Sequence, residues 1–158
     1  MKTIFSPCRK YRYTLIRDLG EGNGQCSFIC LNPSTADETR DDPTVRRCMN
    51  FARGWGYRTF CMLNLFAYRS TDPSVMKAQA DPVGPENDKW IDEVVSKSDL
   101  VVAAWGNHGT FQFREIDVIS RHRQKIHYLK MTSQHCPSHP LYLLSTIVPK
   151  PLNEYFRP

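Results

Sequence analysis

The chain of 158 residues lacks any long hydrophobic run. Its longest uncharged apolar run, Leu100 to Trp105, is far shorter than the roughly 20 residues that a membrane-spanning helix needs. The N-terminus carries Lys2 but no apolar stretch of the kind found in secretory signal peptides. We therefore expect no membrane association and a cytoplasmic location.

Cysteines at metal-binding spacing are absent as well. The six cysteines include no Cys-x-x-Cys pair, and Cys26 and Cys30 are evenly spaced within one apolar run, which puts them on one face of a strand. Buried free thiols are the prediction, because an iron–sulfur site would need several thiolates to converge. His122 and His127 have the wrong spacing for a shared ligand face, so a metal hydrolase is a weak interpretation. We predict neither a metal nor another cofactor.

Low-complexity tracts and internal repeats are also missing. Hydrophobic residues make up 41% of the chain and aromatic residues 11%, which is typical of a folded protein. This length and composition predict one domain over residues 1–158, acting as a monomer without an obligate protein partner. The net charge of +5 moderately favours a polyanionic partner.

The most informative stretch is the apolar run 26–31 and the loop that follows it. The run has the length and composition of a buried strand. Pro33 fixes its own φ and forces Asn32 into an extended conformation. Because ligands of open α/β sheets bind beyond the carboxyl ends of the strands, the Asn32 amide is a candidate for orienting a water or a substrate. A simple Asn-Pro turn is the alternative.

Predicted strands and helices alternate along the rest of the chain. This alternation indicates an α/β fold with parallel strands joined by right-handed crossovers. Asn64 ends a second apolar run, so two amides are expected to converge on one crevice. The predicted strands cover 11–17 (an edge strand), 26–31, 60–66, 100–105 and 126–131, and the predicted helices cover 44–55, 74–78, 86–97 and 110–122.

Four segments resemble, in the correct order, motifs of the uracil-DNA glycosylase superfamily. The resemblance spans roughly residues 26–145. The first motif is similar to that of the thymine and mismatch-specific uracil glycosylase branch. The sequence as a whole most resembles an uncharacterised bacterial and phage branch. It implies a three-layer sandwich around a central, mostly parallel, four-stranded sheet. The segments are Asn32-Pro33-Ser34, Met62-Leu63-Asn64-Leu65, Trp105-Gly106-Asn107-His108 and His139-Pro140-Leu141-Tyr142.

The resemblance implies a monofunctional DNA glycosylase that flips a base out of the duplex and hydrolyses its N-glycosidic bond. Asn32 would position the attacking water, and His139 would donate a hydrogen bond to the leaving base. The carboxylate that the uracil-specific branch carries in its first loop is absent, so Asp42 or Asp37 is the alternative water-activating group. A second alignment of the last loop assigns the histidine role to His135.

The resemblance also implies a set of binding residues. Ser34 and Thr35 replace a bulky ring of the uracil-specific branch, so we expect the pocket to accept pyrimidines with a C5 substituent, including bulky phage bases. Capping of a strand end is the alternative role for Asn64, and solvated surface charge is the alternative for Arg46. The predicted substrate-binding residues are Pro33, Ser34, Thr35, Asn64, Phe66, Trp105, Asn107 and His108, and the predicted DNA-binding residues are Leu141, Tyr142, Arg46 and Arg69.

One feature of the sequence argues against DNA. Asp37, Glu38, Asp41 and Asp42 crowd the loop beside the predicted site and would repel phosphate unless they pair with Arg40, Arg46 or Arg47. This charge favours a second interpretation, an N-glycosidase acting on free nucleosides or nucleotides. A third interpretation is a non-catalytic protein that binds a flipped, modified base.

Overall fold

A mixed seven-stranded sheet organises residues 2–155, the part of the chain that the computed structural model describes. The strand order is β1-β2-β4-β3-β5-β6-β7. The inner strands β4, β3, β5 and β6 are parallel, whereas β1, β2 and β7 pair antiparallel. The strands are β1 (Ile4–Phe5), β2 (Arg12–Asp18), β3 (Gln25–Cys30), β4 (Thr59–Asn64), β5 (Leu100–Ala103), β6 (Ile126–Tyr128) and β7 (Lys150–Pro151).

Strand β3 lies at the centre, and all six of its residues are buried. Such uniform burial is expected for a parallel strand that is covered on both faces. Cys30 at its end pairs in register with Asn64 at the end of β4, so the two strands finish side by side. The chain segments after β3 and β5 therefore leave the sheet at the same edge.

Helices cover both faces of the sheet. One hydrophobic cluster joins Phe28 to residues of α1, and the other joins Ile29 to residues of α3 and α4, as the alternation of side chains along β3 requires. Helix α1 begins where Pro43 fixes φ and Asp42 accepts the N–H of Val45 at 2.9 Å. The helices are α1 (Pro43–Gly54), α2 (Pro73–Lys77), α3 (Asn87–Lys97), α4 (Arg114–His122) and α5 (Leu152–Tyr155).

The α/β class predicted from the sequence is confirmed, but the sheet is larger than the four strands expected. Strands β1 and β7 have only two residues each, too few to produce a recognisable alternation. The pairing of β1 with β2 also means that β2 is not an edge strand, since β1 lies outside it. Within this mixed sheet, β4, β3, β5 and β6 pair in parallel.

Two predicted elements have different bounds in the structure. The helix expected over 110–122 is interrupted, because Gln112 and Phe113 both adopt positive φ, at 54° and 55°. A 3-10 segment, Asn107–Phe113, precedes α4 for this reason. The strand expected over 126–131 ends at Tyr128, and Met131 forms only an isolated bridge.

All six cysteines are free, as predicted, but only five of them are buried. Cys8 is exposed. Burial raises the pKa of Cys61 to about 12, which keeps this thiol protonated at neutral pH. Within residues 2–155, no helix combines the length and the hydrophobicity needed to cross a bilayer.

Candidate functional site

A cavity of about 840 Å³ opens where β3 and β5 end. This volume lies within the range of about 300–1,000 Å³ that is usual for small-molecule sites. Loop residues that follow the parallel strands form most of its wall, and Arg12 and Met62 contribute from neighbouring strands. The position agrees with the rule that α/β sheets bind ligands beyond the carboxyl ends of their strands.

Asn32 lines this cavity with its amide held in one orientation. Its Nδ2 atom donates to the carbonyl oxygen of Ser70 at 2.8 Å and to that of Pro33 at 3.2 Å. The N–H of Ser70 in turn donates to the Pro33 carbonyl at 2.8 Å, which fixes the two segments together. No residue within 2–155 donates to Asn32 Oδ1, so this oxygen is free to accept a hydrogen bond from a water or a ligand.

His139 lines the same cavity. Its Nδ1 accepts the N–H of Leu141 at 3.3 Å, so the ring proton of the neutral imidazole is on Nε2. Nε2 lies 3.5 Å from Oγ1 of Thr44. Although the residue is exposed, desolvation of the ring at the cavity wall lowers its pKa below 6.5, and the opposing effect of Asp42 is smaller. At neutral pH the site therefore presents a neutral N–H donor.

Asp42 is the acidic residue that reaches this cavity. One carboxylate oxygen caps α1 through Val45, so the other remains available. Asp37, the alternative from the sequence, instead accepts the backbone N–H groups of Thr39 and Arg40 at 2.9 and 2.8 Å and does not line the cavity. These bonds lower the pKa of the Asp37 carboxyl group.

Asn64 does not line the cavity, contrary to our expectation that both strand-end amides would do so. Its side chain is 1% exposed. Within residues 2–155, neither its Nδ2 nor its Oδ1 has a hydrogen-bond partner, so the side chain does not cap the strand end. That role belongs to Asn87, which donates to the carbonyl oxygens of Asn64 and Leu65 at 2.9 and 3.0 Å. Asn64 follows Met62, a lining residue, by two positions, so both side chains are on one face of β4.

The segment after β5 contributes Trp105, Asn107 and His108 to the wall. The indole Nε1 of Trp105 donates to Glu115 at 2.9 Å, which fixes the ring. Asn107 Oδ1 accepts a hydrogen bond from Thr132 at 2.6 Å, and this leaves the Nδ2 donors of Asn107 for a ligand. Ser34, from the loop after β3, also lines the cavity.

The other predicted residues lie outside the lining of the cavity. Phe66 is fully buried on the α3 side of the sheet, which places it in the core. Tyr142 is 93% exposed on the loop that carries His139. Arg69 stacks on Phe5, with its guanidinium carbon 4.8 Å from the ring centre. The remaining ones are Pro33, which is buried, Leu141, which is half-buried, and Thr35 and Arg46, which are exposed.

The structure also separates the two histidines between which the sequence left a choice. His135 lines a different cavity, of about 490 Å³, beside α4. Its Nδ1 contacts the hydroxyl of Tyr155. Only His139 of these two shares a cavity with Asn32.

Two of the four carboxylates in the acidic loop pair with arginines, but with different arginines from those expected. Glu38 pairs with Arg9 at 2.7 Å, and Asp41 pairs with Arg17 at 2.9 Å. Arg47, by contrast, donates to the carbonyl oxygen of Leu143. The repulsion of phosphate that the sequence suggested is therefore reduced.

Sequence reasoning missed several groups at the cavity. Thr44 and Ser70, which contact His139 and Asn32, have no distinguishing pattern in the sequence. Arg12 did carry a signal, since it is a charged residue between two tyrosines in a strand. An inward-facing charge in a strand is uncommon and points to a specific role. Lys130 adds a second cation to the wall.

Within the described residues, no group of three or more histidine, cysteine, aspartate or glutamate side chains could hold a metal ion. The family model described as a protein of unknown function (DUF1643) matches residues 12–141. This span includes Arg12, Asn32, Asp42 and His139. No curated protein and no solved structure matches the chain.

Proposed function

The chain belongs to the DUF1643 family, whose description names no function, and from its cavity we propose that it is a monofunctional DNA glycosylase. Its substrate would be a modified or damaged pyrimidine, which is released from DNA to leave an abasic site. The observation that carries the proposal is the pairing, on one cavity, of an anchored amide acceptor, Asn32, with a neutral imidazole donor, His139.

The geometry suits hydrolysis of an N-glycosidic bond. Asn32 Oδ1 accepts a hydrogen bond from the attacking water, which it orients towards C1′ of the sugar. As the C1′–O bond forms, the C1′–N bond breaks and its electron pair stays on the base. His139 Nε2–H donates to the base carbonyl oxygen, where negative charge develops. The second oxygen of Asp42 can take the proton that the water loses.

The fold offers support that is independent of these side chains. Four adjacent inner strands are parallel and helices cover both faces of the sheet, two features that the resemblance to the uracil-DNA glycosylase superfamily implies, although the sheet has seven strands and not four. The four matching segments all reach the cavity, through Asn32, Met62, Trp105 and His139. They are far apart in sequence, so their convergence in space adds weight to the resemblance.

Side chains around the cavity supply features that a duplex DNA substrate would use. Tyr142 projects from the loop that carries His139 and can fill the gap that a flipped base leaves in the stack. Lys130 lies at the wall, and the carboxylates Glu38 and Asp41 are paired with arginines. These features favour a polyanionic substrate over a free nucleoside.

A buried, unpaired amide supports base recognition. Leaving polar atoms such as those of Asn64 without partners costs about 1–3 kcal/mol each, so their presence calls for an explanation, and hydrogen bonds to a base edge supply one. Met62 lines the cavity on the same face of β4 as Asn64, and its flexible side chain can move aside for a base edge. Ser34, a small residue in the wall, leaves room for a C5 substituent.

The test is incubation of the purified protein with duplex oligonucleotides that each contain one modified pyrimidine, followed by alkali. The proposal expects strand breaks at one class of modified base, and none with the Asn32→Ala or His139→Ala variant. Parallel incubation with free nucleosides tests the N-glycosidase alternative, which predicts turnover of nucleosides and no breaks in DNA. Binding of modified DNA without any abasic product would instead identify a non-catalytic reader.

A further inference from the structure

Arg12 is a buried guanidinium whose hydrogen bonds are mostly unmade. It is 1% exposed, yet it lines the cavity. Nη1 donates to the carbonyl oxygen of Ala36 at 2.9 Å, and Nη2 points at the sulfur of Met62 at 3.4 Å, a weak acceptor. Nε has no partner within residues 2–155, and no ion pair among these residues includes Arg12.

Burying a charge in this way is costly unless a partner compensates it. The effective penalty is several kcal/mol per ion, and a buried pair breaks even only with well-placed hydrogen bonds. Burial lowers the pKa of Arg12 to about 10, and Asp42 opposes this shift, so the side chain stays charged at neutral pH. An anion inside the cavity would satisfy both the charge and the free N–H groups.

The charges of the cavity wall also favour an anion. Two cationic side chains, Arg12 and Lys130, face one carboxylate, Asp42. His139 is neutral at physiological pH because desolvation lowers its pKa. The wall therefore has a net positive charge, and its most deeply buried charged group is the positive one.

We propose that Arg12 binds the anionic edge of the departing pyrimidine and thereby stabilises the base as a leaving group. This inference rests on the proposed function, since the anion it names is the base released by cleavage of the C1′–N bond. Arg12 then acts with His139, and the permanent charge supplies the larger electrostatic contribution because Arg12 itself is buried from water. The substrates are accordingly pyrimidines that, once released from the sugar, are readily ionised to the anion.

Equilibrium binding of free bases separates this inference from catalysis. At about pH 8, 5-nitrouracil is ionised whereas thymine is neutral, and His139 is neutral as well. Wild-type protein is expected to bind 5-nitrouracil at least about tenfold more tightly than thymine. In Arg12→Met this preference should fall to less than about threefold, while Arg12→Lys keeps the charge and part of the preference.

Arg17→Met is the matched control, since Arg17 is on the same strand, is paired with Asp41 and does not line the cavity. It should keep the full preference for the anion. Melting temperatures of all variants verify that they fold. Equal binding of both bases by wild-type protein, or an unchanged preference in Arg12→Met, would overturn the inference, as would displacement of 5-nitrouracil by inorganic phosphate at equal concentration.

Failure of the inference and failure of the proposed function give different experimental results. Binding of the anion through Arg12 without release of any base from DNA would support the anion-binding role of Arg12 and rule out glycosylase activity. Release of a base without preference for the anion would retain the glycosylase and reject the role of Arg12.

Discussion

The amide nitrogen of Asn32 and the carbonyl oxygen of Ser70 are 2.8 Å apart, and this hydrogen bond decides what the side chain can do. With Nδ2 committed to the backbone, Oδ1 is the atom that remains for the cavity. An oriented acceptor of this kind suits a water molecule that must approach C1′ from one direction. The catalytic hypothesis therefore depends on the anchor as much as on Asn32 itself.

Replacing Asn32 tests whether its anchored amide is needed for base release. Asn32→Ala should lower the rate of base release by about 100-fold, because a misplaced reactant costs a factor of this order. Asn32→Asp should not restore activity, since a carboxylate cannot donate to the carbonyl oxygens of Pro33 and Ser70. Single-turnover rates measure both effects, and Asn50→Ala, at an exposed amide on α1, is the control. Wild-type rates in Asn32→Ala would remove this residue from the mechanism.

The pH dependence follows from His139. Its pKa is lowered below 6.5 by desolvation, so the neutral ring, with Nδ1 accepting from Leu141, persists from pH 8 down through 6.5. Base release should therefore fall as the pH is lowered, with a midpoint below pH 6.5, where Nδ1 becomes protonated and loses that bond. His135→Ala, in the other cavity, should show the same profile. A rate that rises as the pH falls below 6.5 would show that the imidazolium is the active form.

Stability should change with pH in the same direction. Between the lowered pKa of folded His139 and the ordinary value of 6.5, the unfolded chain binds more protons than the folded one. The contribution of His139 to the free energy of unfolding is therefore complete above pH 6.5 and decreases as the pH falls below it. Urea titrations of wild-type protein and His139→Asn between pH 5 and 7 isolate this contribution. Parallel curves for the two proteins would contradict the assignment.

Asn64 gives a prediction in which stability and function move in opposite directions. Asn64→Leu removes two buried, unpaired polar atoms and should raise the free energy of unfolding by about 1 kcal/mol. The same change should weaken discrimination between pyrimidines by about tenfold or more, because a site that hydrogen-bonds its ligand loses that selectivity. Denaturant titration and competition between substrates measure the two effects. A variant that is less stable and equally selective would assign Asn64 to the core alone.

Tyr142 should matter for duplex DNA and not for the fold. Because it is 93% exposed, Tyr142→Ala should leave the melting temperature unchanged. Base release from a duplex should fall by about tenfold, since unstacking costs a few kcal/mol that a wedge offsets. Release from single-stranded DNA should be unaffected. Phe113→Ala, at another exposed aromatic residue, is the control, and an equal loss on both DNA forms would argue against a wedge.

Local patterns in the sequence predicted the parallel centre of the sheet and the position of Asn32. Pro33 restricts the backbone of Asn32 through sterics alone, and that constraint can be read without a structure. Ser70 could not be found in this way, because its contact with Asn32 joins segments 38 residues apart. Short strands such as β1 and β7 depend on tertiary pairing rather than on propensity, so they were missed.

Burial explains the two largest differences at the site. Asn64 was expected in the cavity because β4 ends there, but it is 1% exposed and does not line the wall. The depth of a strand-end side chain depends on neighbours that are distant in sequence. Arg12 was expected on an edge strand, where an arginine would face solvent. Its guanidinium is instead buried against the loop after β3 and against β4, where it donates to the carbonyl oxygen of Ala36 and points at the sulfur of Met62.

The most direct measurement is mass spectrometry of free bases released from a panel of DNAs that carry different modified pyrimidines. Wild-type protein should release one class of free pyrimidine in an amount equal to the abasic sites formed. The double variant Asn32→Ala/His139→Ala should release at least about 100-fold less. Absence of any released base across the panel, or equal release by the double variant, would contradict the assignment of base excision to this cavity.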